Sequence, residues 1–211
     1  MPSNPATITV SEPRLFNGRA VALVNGYGLL ICPPILIAVV AVSFIPLGYL
    51  TALLPLLAFA LTAYLLPFGF GNSYVTRLVE RLGVPGDSGK ERFVVQLTLS
   101  PRIRKGLRAL LEDADDIGYL TIADDQLIFQ GDSVQLDLPF ARIERVQPRN
   151  AGLRVPFIHG WRIQLEVSGL PGVDSVEFAE RSSLVLTRSW RIANQIKQSL
   201  ATALKTTAGS R

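Results

Sequence analysis

Few residues in this chain could form a catalytic centre. Ser88, in the run Gly86-Asp87-Ser88-Gly89, is the one serine in a setting typical of a nucleophile, and such a serine needs a histidine base and an orienting carboxylate. The chain has one histidine, His159, far downstream in a predicted loop. The same run does not form a phosphate-binding loop, because Glu91 stands where a serine or threonine would hold magnesium. We therefore expect a linker here and no enzyme activity.

Metal binding is not predicted either. A zinc site takes three or four nitrogen, sulfur or carboxylate ligands, and this chain offers one histidine and one cysteine, Cys32. Cys32 lies within an apolar tract, so we expect it to contribute packing only. A run of carboxylates could attract a cation or a basic partner, although we favour a solvated helix end: Glu112, Asp113, Asp115 and Asp116. No metal and no cofactor are expected.

Basic side chains are the best candidates for binding. Each basic charge near an anionic lipid surface contributes on the order of 1 kcal/mol. One set follows the predicted linker, and a second set surrounds a long loop with an apolar tip. The lipid- or partner-binding candidates from the two sets are Arg102, Arg104, Lys105, Arg108, Arg149, Arg154, Phe157 and Ile158. The alternative is that the arginines form ion pairs with Asp137, Glu144 and Glu166 and that Phe157 belongs to the core.

The most apolar part of the chain, from Ala20 to Thr76, contains no Asp, Glu, Lys, Arg or His. A membrane-spanning helix needs about 20 apolar residues, so this tract predicts two spans, near residues 27–45 and 49–66, divided at Pro46-Leu47-Gly48. The alternative is a buried hairpin in a soluble protein. Arginines flank the tract on both sides, and positive flanks remain cytoplasmic. The prediction is an integral inner-membrane protein with both termini in the cytoplasm.

The chain is thus divided into five parts. Residues 1–19 are expected to form a flexible tail, 20–71 a transmembrane hairpin, 72–89 an amphipathic helix and linker, 90–205 a folded domain, and 206–211 a second tail. Apolar and polar residues alternate in the folded domain, which predicts seven antiparallel strands. Their predicted bounds are 93–100, 118–123, 126–130, 133–138, 143–147, 161–168 and 174–180.

A final amphipathic helix is predicted to cover the open end of the small barrel that these strands form. Its apolar stripe consists of Trp190, Ala193, Ile196, Leu200 and Leu204.

The region from Ile117 to Gln147 resembles pleckstrin-homology-like (PH-like) domains of the GRAM and bacterial branch. The similarity lies in a glycine-led strand that begins at Gly118, the turn Asp124-Asp125, the strand segment Leu127-Ile128-Phe129, and the corner from Pro139 to Val146. The resemblance implies a seven-stranded barrel or sandwich capped by the last helix, used to bind lipid headgroups, proteins or further copies of itself. These motifs are hydrophobic patterns and imply no catalysis.

Together these features predict a non-enzymatic, membrane-anchored binding or scaffold module. It would present the PH-like domain at the cytoplasmic membrane surface to a protein partner or an anionic lipid, and self-association is a further expectation. The alternative is a small accessory subunit of a membrane transport or secretion complex. Nucleic-acid binding is not expected, because the pI near 9.5 arises from a net charge of only +4.

Overall fold

The computed structural model describes residues 5–20, 37, 53, 57, 71–84, 91–103, 114–149 and 162–209. Eight strands and two helices form most of this part of the chain. The strands are β1 (Thr7–Val10), β2 (Arg92–Ser100), β3 (Asp116–Ile122), β4 (Gln126–Gly131), β5 (Val134–Pro139), β6 (Ile143–Arg149), β7 (Arg162–Val167) and β8 (Ser175–Glu180). The helices are α1 (Asn72–Glu80) and α2 (Leu186–Gly209), and a 3-10 turn (Phe140–Arg142) separates β5 from β6.

All eight strands belong to one curled antiparallel sheet, a half-barrel with the order β1-β5-β4-β3-β2-β8-β7-β6. The seven strands predicted after residue 90 are confirmed to within two residues at each end. The eighth strand, β1, lies in the segment predicted to be a flexible tail. Its sequence, Thr-Ile-Thr-Val, is rich in β-branched side chains, which favour a strand, and Ile8 lies opposite Leu136 of β5. The seven-stranded fold class is corrected accordingly.

The concave face of the sheet encloses the main hydrophobic core. Leu97, Leu120, Leu127, Phe129 and Phe178 are among its fully buried side chains. Alternate residues of each strand point to this face, which explains why a period of two was visible in the sequence.

Helix α2 closes the core, as the sequence predicted. Ile196 and Leu200 are buried against residues of the strands. Trp190 was expected on the same stripe but is exposed. At 100° per residue, Ser189 and not Trp190 falls in line with Ile196 and Leu200, and Ser189 is fully buried.

Helix α1 forms a second, smaller core on the convex face of the sheet. Val75, Leu78 and Val79 pack with Phe16 of the N-terminal segment and Ile117 of β3. The helical spacing predicted for α1 is therefore confirmed. Its apolar side is buried by contacts with other described residues of the chain.

The predicted transmembrane fold is wrong, and with it the integral inner-membrane localisation with two cytoplasmic termini. Within the described part of the chain, no helix combines the length and the apolar content needed to cross a membrane. Helix α1 has nine residues, and α2, with 24 residues, is interrupted by basic residues: Arg188, Arg191, Lys197 and Lys205. Both predicted spans, 27–45 and 49–66, lie outside the described residues except for positions 37, 53 and 57.

Candidate functional site

The N-terminal segment is held to the sheet at the turn between β4 and β5. The Asp132 Oδ2 atom accepts hydrogen bonds from the backbone N–H groups of Leu15, at 2.8 Å, and Phe16, at 2.7 Å. One residue further on, the Ser11 N–H donates to the Ser133 carbonyl at 2.7 Å. Hydrogen bonds to a charged acceptor contribute about 1.5–3 kcal/mol. This turn therefore fixes the position of β1 at the end of the sheet.

A second carboxylate, Asp116, supports the same turn from inside the barrel. Its Oδ2 accepts hydrogen bonds from the N–H groups of Ser133, at 2.7 Å, and Val134, at 2.6 Å. Burial raises the pKa of Asp116 from its usual 3.8 to about 6, although backbone N–H groups, including those of Ser133 and Val134, oppose the rise. The nearby Asp132 carboxylate raises this pKa further.

One glycine makes room for the Asp116 carboxylate, and a second lets β3 approach β4 closely. Gly118 of β3 and Gly131 of β4 lie directly opposite each other in the ladder. A Cβ atom on Gly131 would lie 2.2 Å from Asp116 Oδ2 and 2.6 Å from Cε1 of Phe129. The glycine pair is therefore required by close packing at this end of the sheet, and no unusual backbone angle is involved.

The raised pKa of Asp116 makes a prediction about stability. Because the folded state binds this proton more tightly than the unfolded state, the contribution of Asp116 to stability falls as pH rises from about 4 to about 6 and is constant above. In Asp116→Asn the amide oxygen can accept the same two N–H groups without a buried charge. The free energy of unfolding in urea is measured for the wild type and the variant at each pH. The difference between the two, wild type minus variant, should fall as pH rises from about 4 to about 6. A difference independent of pH would contradict it.

The outer side of β1 is an open sheet edge. Because Ser11 and Ser133 form a hydrogen-bonded pair, the antiparallel pattern turns the N–H and C=O groups of Ile8 and Val10 away from β5. Among the strands that the structure describes, β1 pairs with β5 alone. Its residues are exposed apart from the half-buried Ile8, and Val10 retains 50% of its accessible surface. This edge has free hydrogen-bonding groups next to an exposed apolar side chain.

The opposite edge of the sheet, β6, has three features that hinder strand pairing and that β1 lacks. It contains Pro148, which lacks an N–H group, and a register irregularity between Ile143 and Arg145. It also has exposed charges at Glu144, Arg145 and Arg149. Proline, bulges and charge are the devices by which natural sheets prevent edge-to-edge pairing. Strand β1 contains none of them.

A cleft of about 270 Å³ lies beside the end of β1. Its lining combines apolar and polar residues: Val10, Pro13, Phe16 and Ile103 with Ser11, Asn17, Gly18, Asp115, Ser133 and Val134. Sites for small molecules measure roughly 300–1,000 Å³, so this cleft suits a side chain better than a cofactor. Val10 and Ile103 are exposed at its rim.

The predicted basic candidates are only partly described. Arg102 lies near Asp115, with Nε 3.8 Å from Oδ1, and Arg149 forms an ion pair with Glu177. These two pairs agree with the alternative that the arginines balance acidic residues, although the acidic partners differ from those expected. The structure does not bring Arg102 and Arg149 together, since Arg102 follows β2 and Arg149 ends β6, and β8 and β7 lie between these two strands. The other six candidates lie outside the described residues: Arg104, Lys105, Arg108, Arg154, Phe157 and Ile158.

The prediction of a solvated helix end is wrong for Asp115 and Asp116, whereas Glu112 and Asp113 lie outside the described residues. Asp115 and Asp116 are buried instead of forming a solvated helix end, because β3 begins at Asp116 and both carboxylates accept backbone N–H groups. No group of three or more metal-ligating side chains occurs within the described residues. The open edge itself was missed, although the four consecutive uncharged residues from Thr7 to Val10, all of them β-branched, were a usable signal.

Comparison with known proteins gives no assignment, since neither a family model nor a curated protein matches this chain.

Proposed function

We propose that this protein is a non-enzymatic binding module that receives an extended segment of a partner protein at the outer edge of β1. The supporting observation is the contrast between the two sheet edges, one protected by proline, charge and a bulge, the other without any of these. Addition of a strand to an exposed edge is a common mode of peptide recognition. The affinity comes from main-chain hydrogen bonds and the specificity from pockets for alternate side chains.

The cleft supplies such a pocket. It begins at Val10 and Ser11, so a strand that pairs with Ile8 and Val10 passes directly beside it. The exposed Val10 and Ile103 favour an aliphatic side chain at this position, while Ser11 and Asn17 provide hydrogen-bonding groups on the rim. The partner segment is therefore proposed to be uncharged along the edge and to place one aliphatic residue in the cleft.

A protein partner is favoured over an anionic lipid by the arginines that can be located. Arg149 is paired with Glu177, and Arg102 lies close to Asp115, so both of these arginines already contact a carboxylate. Membership of the PH-like family remains part of the proposal. Protein binding is one of the roles that the resemblance implies.

The test uses a displayed library of random linear peptides, selected on the full chain and measured against two variants of one residue. Val10→Pro removes an N–H group that faces away from β5, and proline keeps a backbone angle that a strand allows. Val10→Ala removes the same exposed side chain but keeps the N–H group. Selected peptides should bind Val10→Pro about fivefold more weakly than Val10→Ala, because one hydrogen bond contributes about 1 kcal/mol.

N-methylation along a selected peptide provides an independent readout. A paired strand uses every second N–H group, so only alternate methylated positions should weaken binding. Failure of the library to yield any binder would overturn the proposal. Equal binding to both Val10 variants would do so as well.

A further inference from the structure

We infer that β1 also pairs with β1 of a second copy of this chain, forming a two-fold symmetric antiparallel junction centred on Thr9. This inference rests on the proposed function, since both require the outer edge of β1 to accept a strand. It adds the identity of one occupant and the register in which it binds.

The free groups of β1 are self-complementary. Ile8 and Val10 are the residues whose N–H and C=O groups face outward, and they are two positions apart. In an antiparallel pair with a copy, Ile8 can therefore exchange both hydrogen bonds with the copy's Val10, and Val10 with the copy's Ile8. Thr9 then lies on the two-fold axis. The arrangement leaves none of the outward groups of Ile8 and Val10 unpaired.

The side chains agree with this register. Ile8 and Val10 point to the concave face, as their partners Leu136 and Val134 do, and directly opposite residues share a face. The exposed Val10 of each copy would pack against Ile8 of the other and lose much of its exposure. On the convex face, threonine would meet threonine at the axis. Such pairs contribute roughly 0.2–1 kcal/mol each.

Charge does not oppose the pairing. No charged residue occurs from Thr7 to Ser11, and in this register Glu12 lies opposite Ala6 of the copy. The contact is short, so the dimer is weak and a longer or better-fitting partner strand can displace it. Self-pairing would thus cover the edge when no partner is present.

Disulfide trapping tests the register in the full chain. Cys32→Ser first removes the natural thiol, and Thr9→Cys then places one thiol near the axis. A non-hydrogen-bonded antiparallel pair has its Cα atoms about 4.5 Å apart, within the range of disulfides. The control is Thr7→Cys, whose copies would lie about 13 Å apart along the strands. Thr7 and Thr9 are both exposed, so either substitution should be tolerated.

Under mild oxidation with oxidised glutathione, Thr9→Cys should give about tenfold more covalent dimer than Thr7→Cys, and adding Val10→Pro should remove this excess. Sedimentation of the otherwise natural chain should show a mass that rises with concentration in Val10→Ala and not in Val10→Pro. Equal cross-linking of Thr9→Cys and Thr7→Cys would overturn the inference. If library peptides still distinguished the two Val10 variants in that case, the proposed function would stand. Cross-linking at Thr9 without any peptide binder would overturn the proposed function alone.

Discussion

Gly118→Ala is expected to lower the free energy of unfolding by about 3 kcal/mol, the upper end of what overpacking costs. An added Cβ would lie 2.2 Å from the carbonyl oxygen of Gln130 and 2.6 Å from the Cα atom of Gly131. Both contacts are with backbone atoms, which cannot move aside as a flexible side chain would. The β3 and β4 strands must separate locally, which disturbs the turn that Asp116 and Asp132 support. Urea denaturation followed by circular dichroism measures the effect.

Gly172→Ala is the matched control. Gly172 has a φ of 70°, and a Cβ there meets no atom within 4 Å, so only the backbone angle is unfavourable. This control should cost about 1 kcal/mol. If Gly118→Ala cost no more than Gly172→Ala, the close approach of β3 and β4 would not limit stability.

Glu177→Ala is expected to lower the free energy of unfolding by about 3 kcal/mol or more. The Glu177 carboxylate pairs with both Arg149 and Arg162, and the side chains of Glu177 and Arg162 are 7% and 5% exposed. Removing the carboxylate takes away the Glu177 charge that lies beside the buried Arg162 guanidinium. Breaking a buried pair on one side is far more harmful than losing an exposed one. Thermal or urea unfolding at neutral pH provides the measurement.

Arg149→Ala is the comparison for this pair. The Arg149 side chain is 50% exposed, so its loss should cost no more than about 1 kcal/mol. Replacing Arg162 by Met in the Glu177→Ala background should recover part of the stability, since the buried positive charge of Arg162 is then gone. A loss in Arg149→Ala equal to that in Glu177→Ala would show that burial of Arg162 is not the cause.

Several strands could be predicted from sequence because they are more buried on one face than on the other. Leu136 and Leu138 alternate with Gln135 and Asp137, for example, and the same period appears in β7. Strand β1 was not predicted because it lies in a short segment between Pro5 and Pro13 that was interpreted as a tail, although its four residues are all β-branched. The burial of Asp116 could not be predicted either. It depends on the missing side chain of Gly131 and on the N–H groups of Ser133 and Val134. These groups become neighbours of Asp116 only in the folded sheet.

The membrane prediction illustrates a different limit. Length and lack of charge identify a tract that would tolerate hydrocarbon, but they do not say how the rest of the chain is assembled around it. The described helices have other reasons for their apolar sides: Val75 and Val79 pack on the convex face of the sheet, and Ile196 and Leu200 on the concave face. An amphipathic pattern predicts that one side of a helix is buried, but it does not show which surface the helix packs against.

The smaller core on the convex face changes what counts as the folding unit. Phe16 and Ala20 lie at the N-terminal end of the uncharged tract, Val75 and Leu78 lie at its C-terminal end, and all four are packed in one cluster. The two ends of the tract therefore belong to the same folded unit as the sheet, although they are far apart in the sequence. A fragment limited to residues 90–205 would lack β1 and α1 and would expose Ile117. Any dissection of this protein should keep both ends of the tract together with the sheet.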